Sequence, residues 1–166
     1  MTEQDMRIFT AAFDRWFKGN VSAMRMCALM VEVAHTWDDL VDADKVVTPE
    51  AAERAFRVLL LELPTNTFYR ANFEFLHPVM VSVWSQWRAA TDMESGDILV
   101  RDDRAKCYML RASLYQLFHT VAVLCGGLDW AAEIGPEIYR TYREHPESFD
   151  ACPTNIDNWW HDRKRR

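Results

Sequence analysis

Apolar residues recur at helical spacing along most of the chain, and capping or helix-stopping residues separate the runs. Met6, Phe9, Phe13, Trp16 and Phe17 follow three- and four-residue steps. They predict a first helix, capped by Thr2 and closed at Gly19-Asn20. Ser22 opens a second, longer helix that runs to about Asp44. Thr48-Pro49-Glu50 combines a capping hydroxyl, a proline at the first helical position and an acid, and so starts a third helix that ends at Pro64. Thr65 or Asn66 begins an apolar and aromatic run to about Ala90, which Pro78 should kink or divide. Asp92 to Asp103 is polar, contains Gly96 and reads as the main internal loop. Helical spacing returns from Asp103 to Cys125, stops at Gly126-Gly127, and resumes from Asp129 to Glu144 with a break at Gly135-Pro136. From Pro146 the pattern is irregular apart from a turn near Trp159. The expectation is one all-α domain over residues 1–166, a bundle of about six helices with an irregular tail from about residue 146.

Composition narrows the picture without changing it. Hydrophobic residues make up 49% of the 166 positions, with seven Trp, five Tyr and nine Phe, which excludes a disordered chain. Five Gly and six Pro are too few for turn-rich β architecture. The net charge of −6 argues against general nucleic-acid binding, which needs a basic face. The short basic end His161-Asp162-Arg163-Lys164-Arg165-Arg166 reads as a frayed terminus. Cys27, Cys107, Cys125 and Cys152 form no C-x-x-C pair, so zinc and disulfide readings are weak. The start Met1-Thr2-Glu3-Gln4-Asp5 is polar and acidic, unlike a signal peptide. With no run of roughly 18 apolar residues to span a membrane, a cytoplasmic protein is expected.

Candidate chemistry is concentrated at the end of the second helix. Residues 35–44 read His35-Thr36-Trp37-Asp38-Asp39-Leu40-Val41-Asp42-Ala43-Asp44, with four carboxylates in seven positions. At about 100° per residue, Glu32, His35, Asp38, Asp39 and Asp42 share a stripe roughly 120° wide. Met26, Met30, Val33, Trp37, Leu40 and Val41 cover the other side. An acidic outer face is usually just solvated. Here, however, the upstream turns are apolar all round and Met24, Ala28 and Val31 continue the same stripe, so the acids are expected to open onto a cavity. Crowded carboxylates repel unless a cation lies between them. Mg²⁺ or Mn²⁺ on Asp38, Asp39 and Asp42 is the natural candidate.

A second polar face complements the first. Arg104, Tyr108, Arg111, Tyr115 and His119 lie within about 80° on one helix. Arginine and tyrosine donate well to phosphate oxygens, so Arg104, Arg111, Tyr115 and His119 are candidate binders of a diphosphate or nucleotide. The plainer reading makes Arg111 a structural partner of Asp38 or Asp42.

Asp38-Asp39-Leu40-Val41-Asp42 resembles the first aspartate-rich motif, D-D-x-x-D, of the class I isoprenoid synthases. With Thr48-Pro49-Glu50 close behind, it is also similar to squalene and phytoene synthases. The likeness covers Cys27 to Arg57. It implies an all-α bundle in which Asp38, Asp39 and Asp42 bind Mg²⁺ and hold a prenyl diphosphate for a lyase or transferase reaction. Asp129-Trp130-Ala131-Ala132-Glu133 is the local candidate for the family's second acidic motif. In size the chain is also similar to the all-α nucleotide pyrophosphatases, which bind Mg²⁺ through helical carboxylates and often form homodimers, although the E-x-x-E and E-x-x-D pair of that family is missing. A W-D-D-L-x-D segment occurs as well in small helical proteins of tailed phages. The alternative from another class is a non-catalytic interaction module. In it the acidic stripe recruits a basic partner, and exposed anchors are found among Trp16, Trp84, Trp87, Trp159 and Trp160.

Overall fold

The computed structural model describes residues 3–43, 45–94 and 101–141. Among them there is no strand. The elements are α1 (Glu3–Trp16), α2 (Val21–Asp42), α3 (Pro49–Arg57), a π-helical turn (Val58–Glu62), α4 (Leu63–Thr65), α5 (Thr67–Ala71), α6 (Phe73–Glu94), α7 (Arg101–Arg111) and α8 (Leu114–Arg140). Six of these helices have nine residues or more, as the helical periodicity predicts. Thr2 as a cap, the helix end at Asp44, the middle of the internal loop, Glu144, Cys152 and the tail from Pro146 lie outside the described residues.

The second helix starts one residue earlier than Ser22. Asn20 is its cap, its side chain accepting from the Ala23 amide at 3.0 Å. That frees Ser22 to join α2 to the α4–α5 junction. Its hydroxyl accepts from the Phe68 amide at 3.0 Å, and its carbonyl accepts from Asn66 Nδ2 at 2.9 Å. Thr48 caps α3 with Pro49 behind it, as its sequence signals. The division expected at Pro78 falls at Asn72. The Asn72 amide closes α5 on the Phe68 carbonyl, while its own carbonyl accepts from Phe75 and Leu76 to start α6. Pro78 is exposed near the start of α6, where water can serve the carbonyl left without a donor.

The core gathers the apolar stripe of α1 against α2 and α8. Phe13, Trp16, Phe17, Met26, Leu117, Phe118, Val121, Ile134 and Ile138 are almost fully enclosed. Phe118 is surrounded by the rings of Phe9, Phe13, Trp16 and Tyr115, at centroid distances between 5.1 and 6.4 Å. α6 packs on α7 and α8, closing the bundle on its other side.

α8 is a hairpin rather than a rod. Gly127 has φ 83° and ψ 177°, so the helix breaks at the glycine pair that the sequence marks as a stop. In a straight helix, His119 and Ala131 would be about 18 Å apart. Here His119 Nε2 lies 3.1 Å from the Ala131 carbonyl and Nδ1 lies 3.4 Å from the Tyr139 hydroxyl. The break expected at Gly135-Pro136 does not occur. Gly135 is buried beneath His119, where a Cβ would come within 3.3 Å of Nε2, and the helix continues to Arg140. By length and composition alone α8 could cross a membrane, an assignment the run-length reading of the sequence did not make. In this fold its second half folds back onto His119 of the first, and each half contributes to the core.

Gly127→Ala is expected to cost about 1–3 kcal/mol, because its backbone lies in a region open essentially to glycine. No atom lies within 4 Å of the added Cβ, so the loss would be purely conformational. Urea unfolding of the two proteins measures it, and equal stability would contradict the hairpin geometry.

Candidate functional site

The acidic stripe of α2 is balanced by cations from three other segments. Glu32 receives a two-pronged contact from Arg54 of α3, with Nε to Oε1 at 2.7 Å and Nη2 to Oε2 at 3.0 Å. Arg54 also reaches Glu62 on the π-helical turn, which Arg25 contacts at 3.4 Å. Hydrogen bonding from Arg54 holds the Glu62 carboxyl below the usual carboxylate range. Asp39 pairs with Lys45 at 3.1 Å, and Asp38 lies 3.5 Å from Arg111 Nη1.

These pairs differ in surroundings. The Lys45 side chain is 70% exposed, whereas that of Arg111 is 2% exposed. Arg111 lies over the Trp87 ring at 4.2 Å, and Trp87 in turn meets Trp37 edge-on at 6.1 Å. A guanidinium is the cation best suited to this setting, since its flat face packs on an aromatic ring while its edge donates to a carboxylate. Trp37 Nε1 is buried beside this group with no hydrogen-bond partner among the described residues. Asp38 and Asp39 themselves are half-buried, at 39% and 31% side-chain exposure.

The fold joins Arg111 to Asp38 and turns His119 toward the second half of α8. A break at Ala112-Ser113 separates α7 from α8, with the Ser113 hydroxyl donating to the Val83 carbonyl at 3.1 Å. Tyr115 beyond the break enters the aromatic core, where burial first and Tyr108 second push its hydroxyl pKa up. His119 faces the returning half of α8. Tyr108 packs with Cys107 and Met93 between α6 and α7. Asp42 ends α2, and its side chain, like that of Arg104, lies outside the described residues.

Asp129 and Glu133 are exposed on the second half of α8. Among the described residues, no group of three His, Cys, Asp or Glu side chains could hold a metal ion. Of the five tryptophans read as candidate anchors, Trp16 is fully buried and Trp84 is 54% exposed. Trp87 is half-buried against Arg111, and Trp159 and Trp160 lie outside the described residues. Sequence reasoning missed Trp87, Lys45 and Arg54 as parts of this region, and placed Trp37 on the side of α2 away from the acids. Arg54 was open to inference, because a short connection between α2 and α3 makes the two helices antiparallel neighbours.

No family model, no curated protein and no solved structure matches the chain.

Proposed function

We propose that the C-terminal end of α2 holds Mg²⁺ or Mn²⁺ on Asp38, Asp39 and Asp42, and through the metal binds a diphosphate-bearing small molecule or a nucleotide. One observation carries this reading: Asp38 and Asp39 are adjacent, half-buried carboxylates, one fixed by an interior guanidinium and the other covered only by an exposed lysine. Mg²⁺ is usually held by one or two carboxylates together with phosphates and water, so two neighbouring aspartates fit it. Lys45 would leave at little cost, since exposed ion pairs contribute at most about 1 kcal/mol. Arg111 is closed off from solvent and acts through Asp38, fixing where that carboxylate points. When bound, the metal would neutralise phosphate oxygens and stabilise charge on a leaving group. Prenyl-diphosphate chemistry and nucleotide hydrolysis share this requirement, which makes inorganic pyrophosphate with Mn²⁺ a suitable probe for both.

Thermal unfolding with and without Mn²⁺ and pyrophosphate tests the site. A hundredfold excess over the dissociation constant should stabilise the protein by about 2.7 kcal/mol. The response should vanish in Asp39→Asn combined with Asp42→Asn. No shift at millimolar metal, or an undiminished shift in the double variant, overturns the proposal.

A second reading, a non-catalytic interaction module, is favoured by a different observation. Phe56, Leu59, Leu60 and Leu61 are all exposed where α3 passes into the π-helical turn, with Phe56 at 65% and Leu60 at 68%. Exposed apolar residues grouped in this way mark contact surfaces more often than chance exposure does. If metal has no effect, this reading takes precedence.

A further inference from the structure

The outer face of α6 carries a self-complementary pattern. At about 100° per residue, Glu74, His77, Val81, Trp84 and Arg88 lie on one side of the helix. All five are exposed, Val81 and Trp84 each at 54%. The inner side, with Leu76, Val79, Val83 and Ala90, packs into the bundle, so it does not compete for the outer residues. Val81 lies midway between Glu74 and Arg88, with His77 to one side of it along the helix and Trp84 to the other.

We infer that two copies of this chain associate through α6, antiparallel about a two-fold axis that passes Val81. In that arrangement Glu74 of each copy faces Arg88 of the other, so the two opposite charges are satisfied twice. Trp84 of each copy comes level with His77 of the other on the same flank of the contact, while Val81 packs on itself. A two-fold contact is self-complementary by definition, and charge and helical spacing agree on the same centre. Arg88 already lies 3.5 Å from Asp92 in its own helix, in an exposed pair of little strength that leaves the guanidinium available to a second carboxylate. One helix pair buries less than the roughly 1,200 Å² of stable interfaces, so the dimer is expected to form at micromolar rather than nanomolar concentration. This inference is independent of the metal proposal.

Sedimentation velocity on the full chain, from low to high micromolar concentration, tests it. The wild type should shift from monomer to dimer over that range. Arg88→Glu and Glu74→Arg each set like charges against each other in both symmetric contacts, and should weaken dimerisation at least about tenfold, or ~1.4 kcal/mol. The combined Glu74→Arg/Arg88→Glu variant should restore it. Circular dichroism checks that these exposed substitutions leave the fold intact. A monomer at every concentration overturns the proposal and leaves the face to a different protein. A dimer that the single reversals do not weaken, or that the double reversal does not restore, overturns the antiparallel register.

Discussion

Asp38→Ala is expected to destabilise the protein by about 2–3 kcal/mol, below the ~3–5 kcal/mol for breaking a fully buried ion pair because Asp38 is half-exposed. The asymmetry between the partners sets the magnitude. Arg111 is 2% exposed and loses a carboxylate 3.5 Å away, which water entering through the space left by half-exposed Asp38 replaces only in part. The reverse change, Arg111→Met, should cost less, because Asp38 is 39% exposed and can be solvated where it stands. Combining the two should recover part of the loss, since an apolar side chain beside Trp87 carries no charge to desolvate. Urea unfolding of the four proteins gives the coupling energy directly. If Asp38→Ala instead stabilises the chain, repulsion within the acidic stripe outweighs the pairing with Arg111, and the structural role given to that pair is wrong.

Phe118→Ala should also cost about 3–5 kcal/mol, as expected for removing a fully buried aromatic ring. Four rings converge on Phe118 from α1 and α8, so each would lose an edge or face contact as well as apolar burial. In a chain of this size, each kcal/mol corresponds to about 2–4 °C in melting temperature. A drop of about 10 °C or more by calorimetry is therefore expected. A drop of only a few degrees would mean that Phe9 and Trp16 collapse into the space left behind.

The helices were legible because their signals are local. A cap such as Thr48, a stop such as Gly126-Gly127, and the three- and four-residue spacing of Phe9, Phe13, Trp16 and Phe17 act within a turn or two of the chain. The divisions at Asn72 and Ala112-Ser113 were less legible. Asn72 ends one helix and begins the next through its own backbone, and Ser113 is held by Val83, 30 positions away. Beyond that second division Tyr115 enters the aromatic core and His119 meets the second half of α8. The approach of Arg111 to Asp38 could be anticipated, because a buried arginine needs an acid and α2 has the densest supply. The Trp87 stacking was not legible, since periodicity assigned tryptophan to the core or to an exposed anchor and offered no third role. Lys45 and Arg54, which cover Asp39 and Glu32, were hidden for a similar reason. Each cation follows the acid in sequence by a distance that only the return of the chain makes short.

The folded-back course of α8 also has an electrostatic consequence. A continuous helix of 27 residues would carry partial charges of roughly half an electron at widely separated ends. Turned at Gly127, the chain makes two shorter dipoles of different direction instead, and the halves meet where Tyr139 packs on His119. At the start of α8, immediately after Arg111 in the chain, the Tyr115 and Gln116 amides already donate to the Ala112 and Ser113 carbonyls. The charge of the α2 carboxylates is balanced by side chains, Arg54, Lys45 and Arg111, rather than by a helix end.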